Sequence, residues 1–286
     1  MPVARQGFSA GFAPCRAQMG DSVKNKFFTR QICAYAQIRR YWQKWGINMK
    51  LRVKFSKHGV LRFIGHLDVM RYFQKAIRRA GIDIAYSTGF SPHQVMSFAA
   101  PLGLGLESNG EYMDIEVNSL TSSKEFIKAL NAQMVDGIEI LEAKLLPGDA
   151  GNAMASVAAA RYTVAFRENY QPAFLTKTVM DDFYGQPEII VTKQTKKSET
   201  TFDMKPFLFE CGYDENKNEI HLLVDASSAG NLKPSLVVKA LYDKNNAEFD
   251  EYALLITREE TYTNVGTPEE IRLEPLGFVG RDYCEK

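Results

Sequence analysis

The sequence predicts an α+β protein built from two ferredoxin-like units, each with the element order βαββαβ and with its helices on one face of an antiparallel sheet. Three observations support this fold class. Some segments alternate apolar and polar residues as strands do, others repeat apolar residues every three or four positions as helices do, and the two kinds follow one another in the same order twice. A chain of 286 residues is long enough for two compact units.

The first predicted unit spans residues 49–147. Its leading helix is the clearest element, because apolar residues recur at helical spacing from Leu67 to Ala80 and Gly81 follows as a stop signal. A second helix is predicted from the period of residues 122–134. Alternation of apolar and polar residues predicts the strands, which lie at 51–55, 83–87, 111–117 and 138–145.

The second predicted unit spans residues 154–262 and follows a linker rich in glycine and small residues. It repeats the element order of the first unit, with helices predicted at 172–184 and 234–242. Its strands are predicted at 160–166, 188–195, 219–225 and 252–257, with an additional strand near 206–211. The tail from 263 to 286 is predicted to be irregular.

The first 48 residues differ from the rest of the chain. They contain both tryptophans, Trp42 and Trp45, and carry 8 Lys/Arg against 1 Asp/Glu, without an apolar run of signal-peptide length. We interpret residues 1–48 as a non-native or disordered N-terminal extension and expect the native chain to start at Met49.

Composition limits the class of protein. With 45% hydrophobic and 24% charged residues the chain has ordinary globular composition, so we expect a soluble, cytoplasmic protein that does not interact with membranes. The four cysteines are scattered and form no CxxC pair, which argues against a disulfide framework and a zinc ribbon. No cysteine triplet for an iron–sulfur cluster is present, and we expect neither a cofactor nor a metal.

Positive charge is concentrated in one part of the body of the protein. Residues 49–98 carry 9 Lys/Arg and 2 Asp/Glu, whereas residues 99–286 carry 18 and 31, a net charge of −13. Any surface that binds an anionic partner is therefore expected in the first unit.

A basic stripe is predicted on the outer side of the first helix. Arg71, Lys75 and Arg78 follow one another at four and three residues and therefore share one helix face. A nearby loop with Phe90 and His93 offers a ring for stacking and hydrogen-bonding groups, so these five residues are the candidates for RNA binding. The alternative is that the stripe is the ordinary charged face of an amphipathic helix.

A second RNA-facing surface is predicted on the sheet itself. Arg52 and Lys54 alternate with apolar residues in the first strand and therefore share its polar face. Exposed sheet faces of this fold can carry RNA through basic and aromatic contacts, although the aromatic residues of an RNA-recognition motif are absent from this sequence.

An acid–base site is the competing prediction. His66, Asp68, His93 and Glu107 are close in sequence, and a histidine oriented by carboxylates could act as a general acid or base if the four converge in one cleft. Asp68 also suits the first turn of a helix, where the helix dipole stabilises a carboxylate. The two histidines with Glu107 or Glu111 match no metal-ligand spacing, so metal binding is not predicted.

The segment from residue 61 to residue 108 contains the most distinctive stretches of the sequence, which are Leu61 to Asp68, Ala80-Gly81, Tyr86 to His93, Ser97-Phe98 and Pro101 to Ser108. These stretches resemble the signature of the radical-SAM-associated, or radical-SAM-linked, domain family. That family is uncharacterised and is encoded beside, or fused to, cobalamin-binding-type radical SAM proteins. The resemblance covers residues 49–262 and implies a radical SAM protein as partner.

The resemblance and the basic stripe together lead to one expectation about function. We expect a non-catalytic accessory protein that acts with a radical SAM partner and presents an RNA or ribonucleoprotein substrate to it. The alternative is an enzyme in its own right that uses the acid–base candidates of the first unit.

Overall fold

The computed structural model of the protein describes residues 49–194, 199–267 and 270–284. The N-terminal extension predicted for residues 1–48 lies outside the described residues.

The described residues form eleven strands, which are β1 (Met49–Lys57), β2 (Met96–Phe98), β3 (Glu107–Val117), β4 (Ile138–Leu145), β5 (Ala159–Phe166), β6 (Ile190–Gln194), β7 (Glu199–Asp203), β8 (Leu208–Asp214), β9 (Glu219–Asp225), β10 (Leu254–Asn264) and β11 (Leu273–Pro275). They also form five helices, which are α1 (His66–Arg79), α2 (Ser123–Asn131), α3 (Ala153–Ser156), α4 (Lys177–Tyr184) and α5 (Pro234–Lys244).

One large sheet organises the protein. Its strands follow the order β4-β1-β3-β10-β5-β9-β8, with β2 paired to β3 and β11 paired to β10. Neighbouring strands are antiparallel, except that β3 and β10 run parallel through the pairs Thr257 with Glu107 and Arg258 with Ser108. The fold class is therefore α+β with a mostly antiparallel sheet, as the sequence predicts.

Helix α1 packs on the sheet through the apolar face that its sequence period predicts. Val69, Phe73 and Ile77 are buried, and the Phe73 ring lies 4.8 Å from the Phe55 ring of β1 between ring centroids. The helix begins after Gly65, which has extended backbone and contributes no side-chain cap. The predicted apolar period and its end thus match the observed helix to within about a residue at each end.

The two halves of the sheet meet where β3 passes close to β10. A Cβ atom at Gly110 would lie 2.6 Å from the Glu260 Cα, so a residue with a side chain does not fit there without a shift of the backbone. Ser108 Oγ donates to the Arg258 carbonyl at 3.1 Å, and Thr261 Oγ1 donates to the Gly110 carbonyl at 2.8 Å. Glycine at this position therefore permits the join that makes the sheet continuous.

The face of the sheet opposite α1 contains a buried ion pair. Because side chains alternate along a strand, Arg52 points away from the side on which Phe55 meets α1. Its guanidinium donates two hydrogen bonds to the Asp114 carboxylate of β3, at 2.8 and 3.0 Å. Arg52 is 1% exposed and Asp114 is 3% exposed, so the pair is shielded from water.

Two segments that are distant in sequence cover this ion pair. Arg52 also donates to the main-chain carbonyls of Gly151 at 3.1 Å and Leu276 at 3.0 Å. The Asp114 carboxylate accepts the backbone N–H of Ala153 at 2.9 Å. The linker before α3 and the tail after β11 therefore lie over the sheet, and the prediction of an exposed RNA-binding sheet face at Arg52 and Lys54 is wrong.

Three strand predictions require correction. Residues 83–87 form only isolated bridges, because β2 instead occupies the outer edge of β3 beside Met113 to Ile115. The strand predicted at 188–195 is β6, which pairs with β7 in a separate two-stranded sheet and not with the large sheet. The additional strand predicted near 206–211 is β8, and it lies in the large sheet beside β9. The tail is not wholly irregular, since β11 pairs with β10. Alternation identified extended segments in these regions but not their pairing partners.

The buried pair makes a testable prediction about stability. Replacing Asp114 with Leu, or Arg52 with Met, leaves an uncompensated buried charge or unpaired polar groups, and either change is expected to reduce the free energy of unfolding by about 3–5 kcal/mol. The double substitution removes both charges and is expected to lose less than the sum of the two single losses. Urea unfolding of the four proteins measures these differences.

The control is a surface pair with the same chemistry. Arg161 and Glu210 form an ion pair at 2.7 Å with side chains 35% and 54% exposed, so Arg161→Met is expected to change stability by about 1 kcal/mol or less. A loss for Asp114→Leu as small as that for Arg161→Met would contradict the importance of the buried pair.

Candidate functional site

The four acid–base candidates lie in different surroundings. His66 faces inward at the start of α1, where its ring packs edge-on against Phe98 with centroids 5.1 Å apart. Asp68 faces solvent and pairs with Arg71 at 3.4 Å, with both side chains largely exposed. Because residues two apart on a helix point in different directions, the inward His66 and the outward Asp68 do not share a cleft.

His93 closes an exposed loop. The Ser87 Oγ accepts the backbone N–H of His93 at 3.1 Å, and the same oxygen lies 2.8 Å from the His93 Nδ1. The Ser87 N–H donates to the His93 carbonyl at 2.8 Å. These bonds hold both ends of the loop together, so they give His93 a structural partner.

Glu107 pairs with His58, which is not among the four acid–base candidates. Its carboxylate lies 3.2 Å from the His58 Nδ1 and accepts from Gly59 N–H at 3.0 Å and Arg62 at 3.2 Å. Burial acts to raise the pKa of Glu107, but the hydrogen bonds from His58 and Gly59 and the charges of His58 and Arg62 hold it below the usual value. Glu107 is therefore a stable acceptor for these donors rather than a proton donor near neutral pH.

The His58 cluster also reaches the second half of the chain. The His58 Nε2 lies 2.9 Å from the Asn109 side-chain oxygen, and the Asn109 amide donates to Glu259 at 2.7 Å. This chain of contacts links the turn after β1 to β3 and β10. It has the features of a structural network, and none of the other three acid–base candidates belongs to it.

The basic stripe is a surface feature. Arg71, Lys75 and Arg78 are exposed along the outer side of α1. The loop from Ser87 to His93 stands beside the same helix, because Gln94 at its base donates to the Gln74 carbonyl of α1 at 3.2 Å. The predicted basic residues and the predicted loop are therefore neighbours.

The loop presents an aromatic ring to solvent. The Phe90 side chain is fully exposed, and Tyr86 at the start of the loop is 53% exposed. Gly89 precedes Phe90 with a φ of +117°, a conformation that residues with side chains rarely adopt. The turn therefore displays Phe90 at its tip, where no apolar side chain of the described residues buries it.

A second, interior feature is a small pocket between β1, β3 and the start of α1. Apolar side chains form most of its walls, and three ionisable groups complete the lining. The lining residues are Phe55, Lys57, His66, Val69, Phe98, Pro101, Leu102 and Glu111.

Lys57 is the unusual member of this pocket. It is 3% exposed, and among the described residues no group forms a hydrogen bond or ion pair with its ammonium. Burial lowers the pKa of Lys57; the charge of Glu111 opposes this effect, the charge of Arg258 adds to it, and the resulting pKa lies below the usual value. A buried lysine of this kind carries a neutral amine more readily than a surface lysine.

Glu111 is held by an arginine from the other half of the chain. Arg258 of β10 donates to the Glu111 carboxylate through Nε at 2.9 Å and through a terminal nitrogen at 2.5 Å. A further bond from Arg258 to the Ala100 carbonyl measures 2.8 Å. Arg258 is 3% exposed and Glu111 is 6% exposed, so this is a second buried ion pair and lies on the helix side of the sheet.

Comparison with known proteins identifies the family. A family model described as an uncharacterized protein conserved in bacteria (DUF2344) matches residues 50–234, which is more than half of the chain. The chain belongs to this family. A search of curated proteins finds no match. Within this DUF2344 protein the matched region contains Lys57, His66, Glu111 and the basic stripe, whereas Arg258 lies beyond its end.

In the described ranges, no group of three or more His, Cys, Asp or Glu side chains is arranged to hold a metal ion. No helix in the same ranges is both long and apolar enough to cross a membrane.

Sequence reasoning missed the two basic residues of the interior pocket. Lys57 ends a strand in which Lys50, Arg52 and Lys54 already appear as polar alternates, so nothing in the alternation marks it as buried. Arg258 is 147 residues from Glu111, and pairing at that separation depends on the β3–β10 join. A lysine at a strand end beside a predicted helix start was the available signal, and it was weak.

Replacement of lysine by methionine is expected to have opposite effects on the free energy of unfolding at Lys57 and at Lys54, both of which lie in β1. Lys57→Met removes a lysine that is 3% exposed and whose ammonium has no hydrogen-bond or ion-pair partner among the described residues, so the free energy of unfolding near neutral pH is expected to rise by about 1 kcal/mol. Lys54→Met removes an ion pair to Glu260 at 2.6 Å and is expected to lower it by about 1–3 kcal/mol. Chemical denaturation of both variants measures the two changes.

The pH dependence gives a second check on Lys57. Because folding lowers its pKa below 10.5, the unfolded chain binds more protons and the stability of the native protein rises with pH in the window below 10.5. The advantage of Lys57→Met should therefore shrink as pH rises toward that value. An advantage that stays constant with pH would indicate that Lys57 is not a buried, poorly solvated cation.

Proposed function

We propose that the protein is a non-catalytic accessory protein that presents RNA, or a ribonucleoprotein, to a radical SAM partner. The observation that carries the RNA part is the exposed stripe of Arg71, Lys75 and Arg78 beside a loop with a fully exposed Phe90. The partner rests on the resemblance to the radical-SAM-associated family.

The length of the stripe suits a nucleic-acid strand. A helix rises about 1.5 Å per residue, so the seven steps from Arg71 to Arg78 span about 10 Å. One strand of a nucleic acid carries about three phosphates over that distance. Asp68 neutralises part of the charge of Arg71, which leaves Lys75 and Arg78 as the stronger phosphate contacts.

The exposed ring favours unpaired bases as ligand. Aromatic side chains stack on bases that are free of a duplex, and sequence-specific RNA recognition is concentrated in loops and single strands. Phe90 beside three cations offers both kinds of contact within one surface. The net charge of −13 on residues 99–286 confines phosphate binding to this part of the chain.

We also propose that each half of the sheet is a ferredoxin-like unit, residues 49–147 and 154–262. The strand order supports this proposal, since β4-β1-β3 with β2 beyond it, and β10-β5-β9-β8, both follow the fourth-first-third-second order of that fold. The RNA surface then lies on the helix side of the first unit, because the linker and the tail cover its sheet face.

Charge reversal tests the RNA surface. In the full chain, Arg71→Glu/Lys75→Glu/Arg78→Glu is expected to weaken binding to a labelled single-stranded RNA of mixed sequence. The slope of log K against log salt concentration should fall in magnitude by about 2, because each phosphate contact on a single strand contributes about 0.7. Fluorescence titration over a salt series measures both quantities, with a blunt RNA duplex as the competing ligand.

The matched control changes charge by the same amount elsewhere. Lys124, Lys128 and Lys217 are exposed lysines outside α1, and their replacement by Glu should leave the affinity and the salt slope closer to those of the native chain. Phe90→Ala in the same titrations should weaken single-strand binding without altering the salt slope. Equal losses for the stripe and the control triple would refute the RNA surface.

The partner is tested separately. Mixing the purified full chain with the radical SAM protein encoded beside it is expected to give a complex whose mass, measured by light scattering after size exclusion, equals a sum of the two chains. The stripe variant should form the same complex if the stripe serves RNA alone. Elution of the two proteins as separate species across micromolar concentrations would rule out a stable partnership. We expect this association to occur in the cytoplasm.

A further inference from the structure

We propose that a pocket at the end of β1 binds a short alkyl diamine as a diammonium ion. This outer pocket lies between the end of β1 and the turn from α2 to β4, has a volume of about 450 Å³ and opens to solvent. Ligand sites in proteins have volumes of about 300–1,000 Å³, so the outer pocket is large enough for a small molecule. None of its lining residues belongs to α1 or to the loop from Ser87 to His93, so the site is independent of the RNA surface.

A buried hydroxyl that lines the outer pocket has no partner in the described part of the chain. Ser56 is 6% exposed, and no described residue forms a hydrogen bond with its side chain. A buried hydroxyl without a partner costs free energy, and a hydrogen bond to a bound molecule recovers part of that cost. Ser56 therefore marks the buried part of the outer pocket as a position for a hydrogen-bonding group.

Two carboxylates give the outer pocket a negative charge. Asp136 and Glu139 line it with exposed side chains, and neither forms an ion pair with a described residue. The lining contains no lysine or arginine. Glu139 is the cross-strand partner of Ser56 in the ladder between β1 and β4, so the two side chains project from the same face of the sheet as neighbours. An ammonium placed here donates to the Ser56 hydroxyl and pairs with the Glu139 carboxylate.

The remaining polar groups of the lining do not oppose a cation. His58 contacts Glu107 and Asn109 through its two ring nitrogens, at 3.2 and 2.9 Å, so a positive charge on this ring is paired with the Glu107 carboxylate. Asn131 is the last residue of α2, and the C-terminal end of a helix attracts positive charge through the helix dipole. The outer pocket therefore favours a cationic ligand over an anionic one.

The length and the apolar part of the ligand follow from the rest of the lining. Asp136 and Glu139 are three residues apart, so their Cα atoms lie at most about 10 Å from each other, and a diamine of about four carbons is short enough to contact both. Met134, Val135 and Ile138 also line the outer pocket, and these apolar side chains suit the methylene groups between the two ammonium groups.

Hydrogen bonds fix the turn that forms this lining. The Asn131 side chain accepts the Ile140 N–H at 2.7 Å and donates to the Ile140 carbonyl at 2.9 Å. The Tyr72 hydroxyl of α1 accepts the Val135 N–H at 2.8 Å. Because the turn is held by these bonds, binding of a ligand requires little additional ordering of the protein.

Calorimetric titration of the full chain, in the absence of RNA, tests the proposal. The probes are putrescine, which is a diamine, butylamine, which has one ammonium, and butanediol, which has none. Putrescine is expected to bind about two- to fivefold more tightly than butylamine, because the second ammonium adds one exposed ion pair. Its affinity should fall as salt is added, and butanediol should show no binding at the same concentrations.

Variants locate the binding site. Asp136→Asn/Glu139→Gln should lower the affinity for putrescine about fourfold or more, since both ion pairs are lost. The matched control is Asp149→Asn/Glu188→Gln, which makes the same change of charge at exposed carboxylates outside the lining and should keep the affinity within about twofold of the native value.

The buried hydroxyl has its own variant. Ser56→Ala removes a group without a protein partner, so it should weaken putrescine binding and leave the midpoint of urea unfolding unchanged. Putrescine that fails to bind, or binds no more tightly than butylamine, would overturn the proposal, as would equal losses for the control pair and the pair in the outer pocket. None of these titrations contains RNA, so their outcome does not depend on the RNA surface.

Discussion

The buried Arg52–Asp114 pair is the constraint on which the arrangement of the chain depends. A guanidinium with no access to water needs acceptors for its N–H groups, and the β1–β3 ladder supplies only the Asp114 carboxylate. The remaining acceptors are the carbonyls of Gly151 and Leu276, from segments 99 and 224 residues away in sequence. Desolvation of one arginine therefore requires the linker and the tail to lie across the sheet. That requirement closes one face of the first half to any ligand.

With that face covered, the RNA surface that we propose for the first half lies on the side of α1, and this helix presents two different faces. Its outward residues at positions 71, 75 and 78 are cations in contact with solvent, while inward residues such as Val69 and Phe73 form the core. His66, at the first turn, points inward at the rim of the pocket, where the core gives way to ionisable groups. Because the helix repeats every 3.6 residues, its charged side chains face solvent and its apolar side chains face the interior of the protein.

The sequence predicts what depends on local periodicity and misses what depends on long-range pairing. Helix α1, β3 and the exposure of Arg71, Lys75 and Arg78 follow from residues close to one another, and each is found where the periods indicate. The pairing of β8 instead of β6 with β9, and the burial of Arg52, depend on contacts that alternation does not encode, because alternation defines two faces but not which face is covered. The acid–base candidates show the same limit: His66, Asp68, His93 and Glu107 are close in sequence, yet their neighbours in space are Phe98, Arg71, Ser87 and His58.

The interior pocket belongs to the whole chain and not to its first half. Glu111 on β3 would be a buried carboxylate without a direct partner if Arg258 were absent, and Arg258 reaches it only because Gly110 lets β3 and β10 approach closely. Arg258 also acts on Lys57, whose pKa its charge lowers. Burial is the largest cause of that lowered pKa, and the charge of Glu111, which Arg258 holds, acts against it. The join between the halves thus brings Arg258 to Glu111, so the lining of the pocket depends on the same contact that makes the sheet continuous.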